Sequence, residues 1–438
     1  MIKILVEPSD YTLFNIGDTA MLQIAVKRLK ALFPDSAIKV FTRDPQALKF
    51  YCPDAIPISA PRRLEGRYTL APVYKYLEQD RITRYLCSFV RIFRHRVPAM
   101  AKYVIEHLLK ESEHLSEELQ RYLRAVAEAD LVVVSGMGGI TDNFLLYAHG
   151  LMDTLGLAIY FGVPTAMLGQ GIGPIKNPQL ISRSTEIFPY VRLFSLREGR
   201  AGPSLLKSLG VSPERILVTG DDAIEVAYRL RSETLGNGLG VNLRAADYSQ
   251  VDRLLIRRIR PVIQKFASLN RAPLIPVPIS RVSGEEDLAS IRHIVVGYRN
   301  VLGLNQDFST QEKVIRQILH CRVVMTGSYH AAVFALGMGI PAVCLAKSEY
   351  YVDKFLGLAE LFNTGCQVVL LDDPQMSAKL QSAIQNLWES AEQVRPSLLK
   401  AAEDQIEWSH AAYQRLYKVV GYKPAVQKAP LKTPILSN

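Results

Sequence analysis

The chain has no run of about 18 consecutive apolar residues, so the sequence signature of a membrane-spanning helix is missing. The first apolar run, in MIKILVEP, is too short for a signal peptide and reads as an opening strand. Cysteine is sparse: Cys52, Cys87, Cys321, Cys344 and Cys366 are scattered without paired spacing, which suggests reduced, buried thiols in a cytoplasmic protein. No clustered His or Cys ligand set occurs, so no metal site is expected. Acidic residues are outnumbered, 42 against 52 Lys and Arg, giving a formal charge of +10. That excess favours acidic partners such as phosphates, anionic sugars or lipid head groups without choosing among them. It is dispersed, and basic residues interleave with aromatics in only one segment, which argues against nucleic-acid binding.

What is present is core. With 48% hydrophobic residues in 438 positions the chain is long enough to bury two domains. Short apolar segments alternate with amphipathic ones, the pattern of parallel βαβ units. KILVE, AIKVFT, LVVVSG, PTAMLG, LFSLR and ILVTGD supply the first half, and LGVNLR, PLIPVP, RVVMTG, PAVCLA and QVVLLD the second. The expected architecture is α/β, two Rossmann-like domains facing across a cleft. The first spans 1–231, residues 232–240 (SETLGNGLG) form a hinge linker, the second spans 241–420, and the Pro- and Lys-rich 421–438 are expected to be a disordered tail.

Residues 62–128 break the alternation and read as a helical insertion in the first domain. Within it, RITRYLCSFVRIFRHRV forms a basic amphipathic helix, in which Leu86, Phe89, Val90 and Phe93 share a face. Packing on the first domain with solvated arginines explains this pattern. The alternative is peripheral contact with the inner face of a membrane or with a lipid-linked substrate.

Four loops at strand ends draw attention, because ligands of open α/β sheets lie outside the carboxyl ends of strands. Asn15, Gly17 and Asp18 follow the first strand and open a helix, with Asp18 placed as its N-cap. This loop is not a G-x-G-x-x-G, so the dinucleotide fingerprint is absent there. SGMGGITD brings Gly138, Gly139 and Asp142 into a glycine-rich turn, and GQGIGPI brings Gln170. In the second half, TGSYH precedes a helix, so Ser328, Tyr329 and His330 sit where free helix N–H groups attract anions. A capping residue in a packed turn would explain a lone histidine equally well. Asp221 and Asp222 read as structural.

NIGD, SGMGGITD, GQGIGP, FSLRE, VTGDDA, GVNLR and TGSYHAAVFALGMGIPAV occur in the order seen in polysaccharide pyruvyl transferases, and the chain resembles that family from about residue 10 to 360. The resemblance implies a GT-B-like fold and transfer of the pyruvyl group of phosphoenolpyruvate, as a ketal, onto hydroxyls of a polysaccharide or its precursor, with no cofactor. It implies a catalytic role for His330 and Arg244. Donor binding falls to Arg244, Ser328, Tyr329 and Lys354 in the second domain and to Arg197 in the first, and acceptor binding to Asn15, Gly17, Asp18, Gly138, Gly139, Asp142 and Gln170 in the first. Many members have Arg-Leu-His where this chain has Ser328, Tyr329 and His330. A GT-B glycosyltransferase using a nucleotide sugar, or a non-catalytic binding protein on the same scaffold, are the alternatives.

The residue types suit the donor. Phosphoenolpyruvate carries a phosphate and a carboxylate, and guanidinium offers planar paired donors to both. Ketal formation also needs an acid with a pKa near neutrality to protonate C3. A helix N-terminus lowers the pKa of His330 and a bound phosphate raises it, so donor binding is expected to protonate the imidazole.

Overall fold

The computed structural model describes residues 1–60, 71–94 and 96–421. The expected tail from residue 422 onward and the start of the helical insertion lie outside the described residues. Among the described residues there are thirteen strands: β1 (Lys3–Glu7), β2 (Ala37–Thr42), β3 (Ala55–Ser59), β4 (Leu131–Val134), β5 (Met137–Ile140), β6 (Thr165–Ile172), β7 (Leu193–Leu196), β8 (Ile216–Val218), β9 (Gly238–Asn242), β10 (Leu274–Pro276), β11 (Cys321–Thr326), β12 (Ala342–Ala346) and β13 (Cys366–Leu370). They form two parallel sheets. The first runs β3-β2-β1-β4-β6-β7-β8, with β5 added against β6, and the second runs β10-β9-β11-β12-β13.

In each sheet the order reverses around a central strand, β1 beside β4 and β9 beside β11. At such a switch point the loops leaving neighbouring strands diverge to opposite faces and open a crevice at the carboxyl ends. The loops carrying Gly17 and Ser135 leave β1 and β4, and those carrying Arg244 and His330 leave β9 and β11. Both crevices face each other across the junction between the lobes. β4 (LVVV) and β12 (AVCLA) are buried at every residue, which explains why they read as unbroken apolar runs rather than alternating ones.

Three expectations need correction. Residues 238–240 of the expected linker belong to β9, where Gly238 and Gly240 pack against Ile275 and Cys321 with no room for a side chain. Met137–Ile140, expected as a glycine-rich turn, is the short strand β5. The chain also does not end in the second lobe. A long helix, Met376–Gln414, crosses back so that Tyr413 and Leu416 join the first-lobe core with Ile4, Val6 and Leu29.

The insertion is helical as expected, with helices Ala71–Leu77, Arg81–Phe93, Pro98–Lys110 and Glu117–Ala127. Its inner faces join Phe41, Leu157 and Phe161 of the first lobe in one apolar cluster. Arg94 is not solvated: its guanidinium turns inward and donates to the carbonyls of Ala127, Phe161 and Ala129. Among the described residues no helix is long and apolar enough to cross a membrane.

Candidate active site at the lobe junction

The helix Ile16–Leu32 starts where β1 ends. Its N-cap is Asn15, not Asp18: the Asn15 side-chain oxygen accepts from the N–H groups of Gly17 and Asp18. The cap satisfies two donors the helix cannot satisfy itself. Capping by Asn15 leaves the Asp18 carboxyl available to face the junction. Asn15 also pairs across the lobes with Ser280, and Ile16 donates to the carbonyl of Ile279.

Gly17 explains the close approach. A Cβ there would fall 2.0 Å from Cγ of His330, so the imidazole of one lobe lies directly on the backbone of the other. Gly138 does the same on the opposite side. A Cβ there would meet Arg197 and Lys354, each at 2.3 Å, and its carbonyl accepts from the Tyr350 hydroxyl at 2.8 Å. Two glycines from the first lobe thus form the floor on which His330, Lys354 and Arg197 converge.

At the centre stands Asp221. Its Oδ2 lies 3.5 Å from Nη1 of Arg197 and 3.7 Å from Nε2 of His330. The Arg197 guanidinium is stacked 4.2 Å from the centre of the Tyr329 ring, and the Lys354 ammonium lies 3.5 Å from the centre of the Tyr350 ring. Buried polar atoms here lack hydrogen-bond partners: Arg197 Nε, Asp221 Oδ2, Tyr329 Oη and His330 Nε2. Such atoms are costly unless a ligand or water completes them. Phe144, Tyr248, Tyr350 and Tyr351 form an aromatic layer beside the cluster.

The electrostatics follow from dense charge in a dry space. Burial, followed by the charges of Arg197, Lys354 and Arg244, holds the His330 pKa well below its usual value. Burial and Arg197 push Lys354 well below the usual ammonium range, against the pull of Asp18, Glu198 and Asp221. Burial, Asp10 and Asp221 raise Asp18 to about 7 although Arg197 and Lys354 oppose them. Burial raises Asp221 to about 6 against Arg197. Without a ligand the cluster therefore favours the uncharged forms of these groups, and an incoming anion would recharge His330 and Lys354 while holding Asp18 and Asp221 protonated.

Of the residues expected from sequence, the structure brings Gly17, Asp18, Gly138, Arg197, Tyr329, His330 and Lys354 together. Ser328 stays in the turn, its N–H donating to Thr326 Oγ1. Arg244 is near enough for its charge to act on His330, but its guanidinium is committed: Nε and Nη2 donate to the Asp287 carboxylate and Nη1 to the Tyr248 hydroxyl. Arg197, not Arg244, is the guanidinium that meets the histidine across a shared carboxylate. The neighbouring Glu198 accepts from the Arg200 N–H.

Three expected acceptor residues are occupied structurally. Asp142 accepts from the N–H groups of Lys176 and Asn177, pinning a loop. The Gln170 amide donates to the carbonyls of Ser135 and Leu168 inside the sheet. Gly139 faces Met137 and Tyr147 of its own lobe. Asp221 was missed. Its signal was its position one residue beyond the VTG that leaves β8, equivalent to the glycine loops that were singled out. Its neighbour Asp222 is structural, accepting from Arg28, Ser409 and Tyr413.

With this geometry in view, the family comparison is decisive: the model described as polysaccharide pyruvyl transferase matches residues 15–349. The chain belongs to the polysaccharide pyruvyl transferase family. The matched span opens at Asn15 and takes in Gly138, Arg197, Asp221 and His330, while Lys354 lies five residues beyond its end. Solved structures show the fold of this transferase to be GT-B. The UDP-GlcNAc 2-epimerase from Neisseria meningitidis bound to UDP-GlcNAc aligns with a TM-score of 0.57 at 11% identity, covering 95% of this chain and 100% of that one. A glycosyltransferase from Rickettsia africae aligns at 0.52 and 11%, covering 96% and 98%. A ugt transferase from Siraitia grosvenorii in complex with UDP aligns at 0.52 and 10%, covering 96% and 100%. A comparison with curated proteins finds no match.

Proposed function

We propose that this pyruvyl transferase takes phosphoenolpyruvate as donor and forms a ketal on two hydroxyls of a sugar acceptor, without a cofactor. The observation that carries the reading is the meeting of Arg197 and Lys354 with His330 over Gly17 and Gly138, with buried polar atoms left open. Two cationic side chains in a dry site suit a small molecule bearing a phosphate and a carboxylate. The Ile16 and Tyr329 helices both begin at this point, and their N-termini add fixed positive potential.

In this scheme the donor anion recharges His330, which delivers a proton to C3 of the enol. C2 becomes oxocarbenium-like, one sugar hydroxyl adds, phosphate leaves, and a second hydroxyl closes the ring. Two hydroxyl protons are released in all: one replaces the proton lost to C3 and the other departs with phosphate. Asp18, raised to about 7 in the ligand-free site, stands where it exchanges a proton with the acceptor once phosphate has left. Asp221 holds Arg197 and His330 in register and acts as a positioning residue. Arg244, spent on Asp287, shapes the β9 loop rather than gripping the donor.

The test is product identity. With phosphoenolpyruvate and a panel of glycan acceptors the full chain is expected to release inorganic phosphate and give acceptors heavier by a pyruvyl ketal. Release of a nucleoside diphosphate from a nucleotide sugar instead would assign it to glycosyl transfer. Phosphoenolpyruvate binding without turnover over a broad panel would leave it a binding protein.

A further inference from the structure

The insertion presents a second surface, remote in sequence from the lobe junction, that the transfer chemistry does not use. From Arg81 to Ile105 the chain carries Arg81, Arg84, Arg91, Arg94, Arg96 and Lys102 and not one Asp or Glu. Arg94 is turned inward, and the other five are exposed. On the helix Arg81–Phe93 the buried residues are Thr83, Cys87 and Val90. Ile82, Tyr85 and Ile92 fall on another side of the same helix, at spacings of three and seven, and are 73%, 81% and 56% exposed. The adjoining helix Pro98–Lys110 adds Met100 and Tyr103, and Val97 in the connection is exposed as well.

We propose that this face docks on an anionic bilayer surface, with Ile82, Tyr85, Ile92 and Met100 entering the head-group boundary and the arginines meeting lipid phosphates. A helix that is already anchored by one apolar face has no folding reason to carry a second one beside a basic flank, whereas an interfacial helix needs both. Exposed aliphatic and aromatic residues on convex helix faces match a deformable surface better than a rigid pocket. A second copy of this chain is disfavoured, because a two-fold contact would set the same five cations against themselves. Carboxylates lie only at the ends of this face, Asp80 capping the first helix and Glu106 3.9 Å from Lys102, so the stretch between them meets anionic lipid without local repulsion.

Flotation of the full chain with vesicles tests this without any turnover, so its failure and failure of the donor assignment are separate results. Vesicles of phosphatidylcholine containing phosphatidylglycerol are expected to carry at least about tenfold more protein than phosphatidylcholine alone. The combined variant Arg81→Gln, Arg84→Gln, Arg91→Gln is expected to lose that selectivity. The combined variant Ile82→Ser, Tyr85→Ser, Ile92→Ser is expected to lose binding that survives in high salt, where electrostatic attraction is screened. All six positions are exposed, and unchanged circular dichroism confirms that each variant folds. Equal flotation with both vesicle types, wild-type binding by either variant, or retention by an acidic polypeptide but not by anionic vesicles would overturn the proposal.

Discussion

A buried imidazole beside the Arg197 guanidinium is neutral, and a neutral imidazole is too weak an acid to protonate the enol. His330 becomes an acid only when a dianion enters beside it, which ties proton delivery to the presence of the donor. Replacing it by alanine is expected to cut turnover by about 100- to 10,000-fold while leaving the fold intact. Turnover of His330→Ala within a few-fold of wild type would remove its catalytic role. Asp18 shows the same environment from the acidic side. Its carboxyl titrates near 3.8 in ordinary surroundings and near 7 here, so the folded state binds this proton more tightly than the unfolded state. The stability it contributes is full below about pH 3.8 and disappears as pH rises through about 7. Because Asp18 is partly accessible, the effect is expected to be about 2 kcal/mol rather than the full value of its shift. Urea unfolding of the ligand-free protein should therefore show stability falling between those pH values, with a shallower fall in Asp18→Asn. Identical slopes for the two proteins would mean that Asp18 is solvated.

At the level of elements, every strand listed from the sequence is present, because buried parallel strands are short apolar runs bounded by glycine and proline. The two strands overlooked lack that signature: AIPIS at the sheet edge contains a proline, and MGGI has two glycines among four residues. Cross-lobe relations were hidden for another reason. Gly17 on His330, Gly138 on Lys354 and Asp221 beside His330 join residues more than a hundred positions apart, and no local periodicity records them. The return of the C-terminal helix was invisible likewise, and it depends on Arg28. Buried in the Ile16 helix, Arg28 bonds Asp222, Glu225 and Ser409, while Asp222 also receives the Tyr413 hydroxyl. Arg28→Met would leave the buried Asp222 carboxylate without its cation, while Glu225 keeps Arg229 and His410, a loss of about 3–5 kcal/mol. Denaturant titration checks this, and a loss below about 1 kcal/mol would show that the Asp222 carboxylate relaxes to solvent.

For the whole molecule, two Rossmann-like lobes meet so tightly at the proposed site that glycine is required on the first lobe wherever a functional side chain of the second arrives. Gly17→Ala is expected to hold the lobes apart by displacing His330. It should reduce turnover and raise the radius of gyration in solution scattering, and an unchanged profile with full activity would contradict so close an approach. The account as a whole rests on a donor anion entering between the lobes and recharging the histidine. Proton-detected NMR of the His330 imidazole, assigned by comparison with His330→Ala and titrated with and without phosphoenolpyruvate, addresses that directly. The predicted result is a pKa that starts well below the usual histidine value in the free protein and rises when phosphoenolpyruvate is present. The same titration curve with and without phosphoenolpyruvate would contradict it.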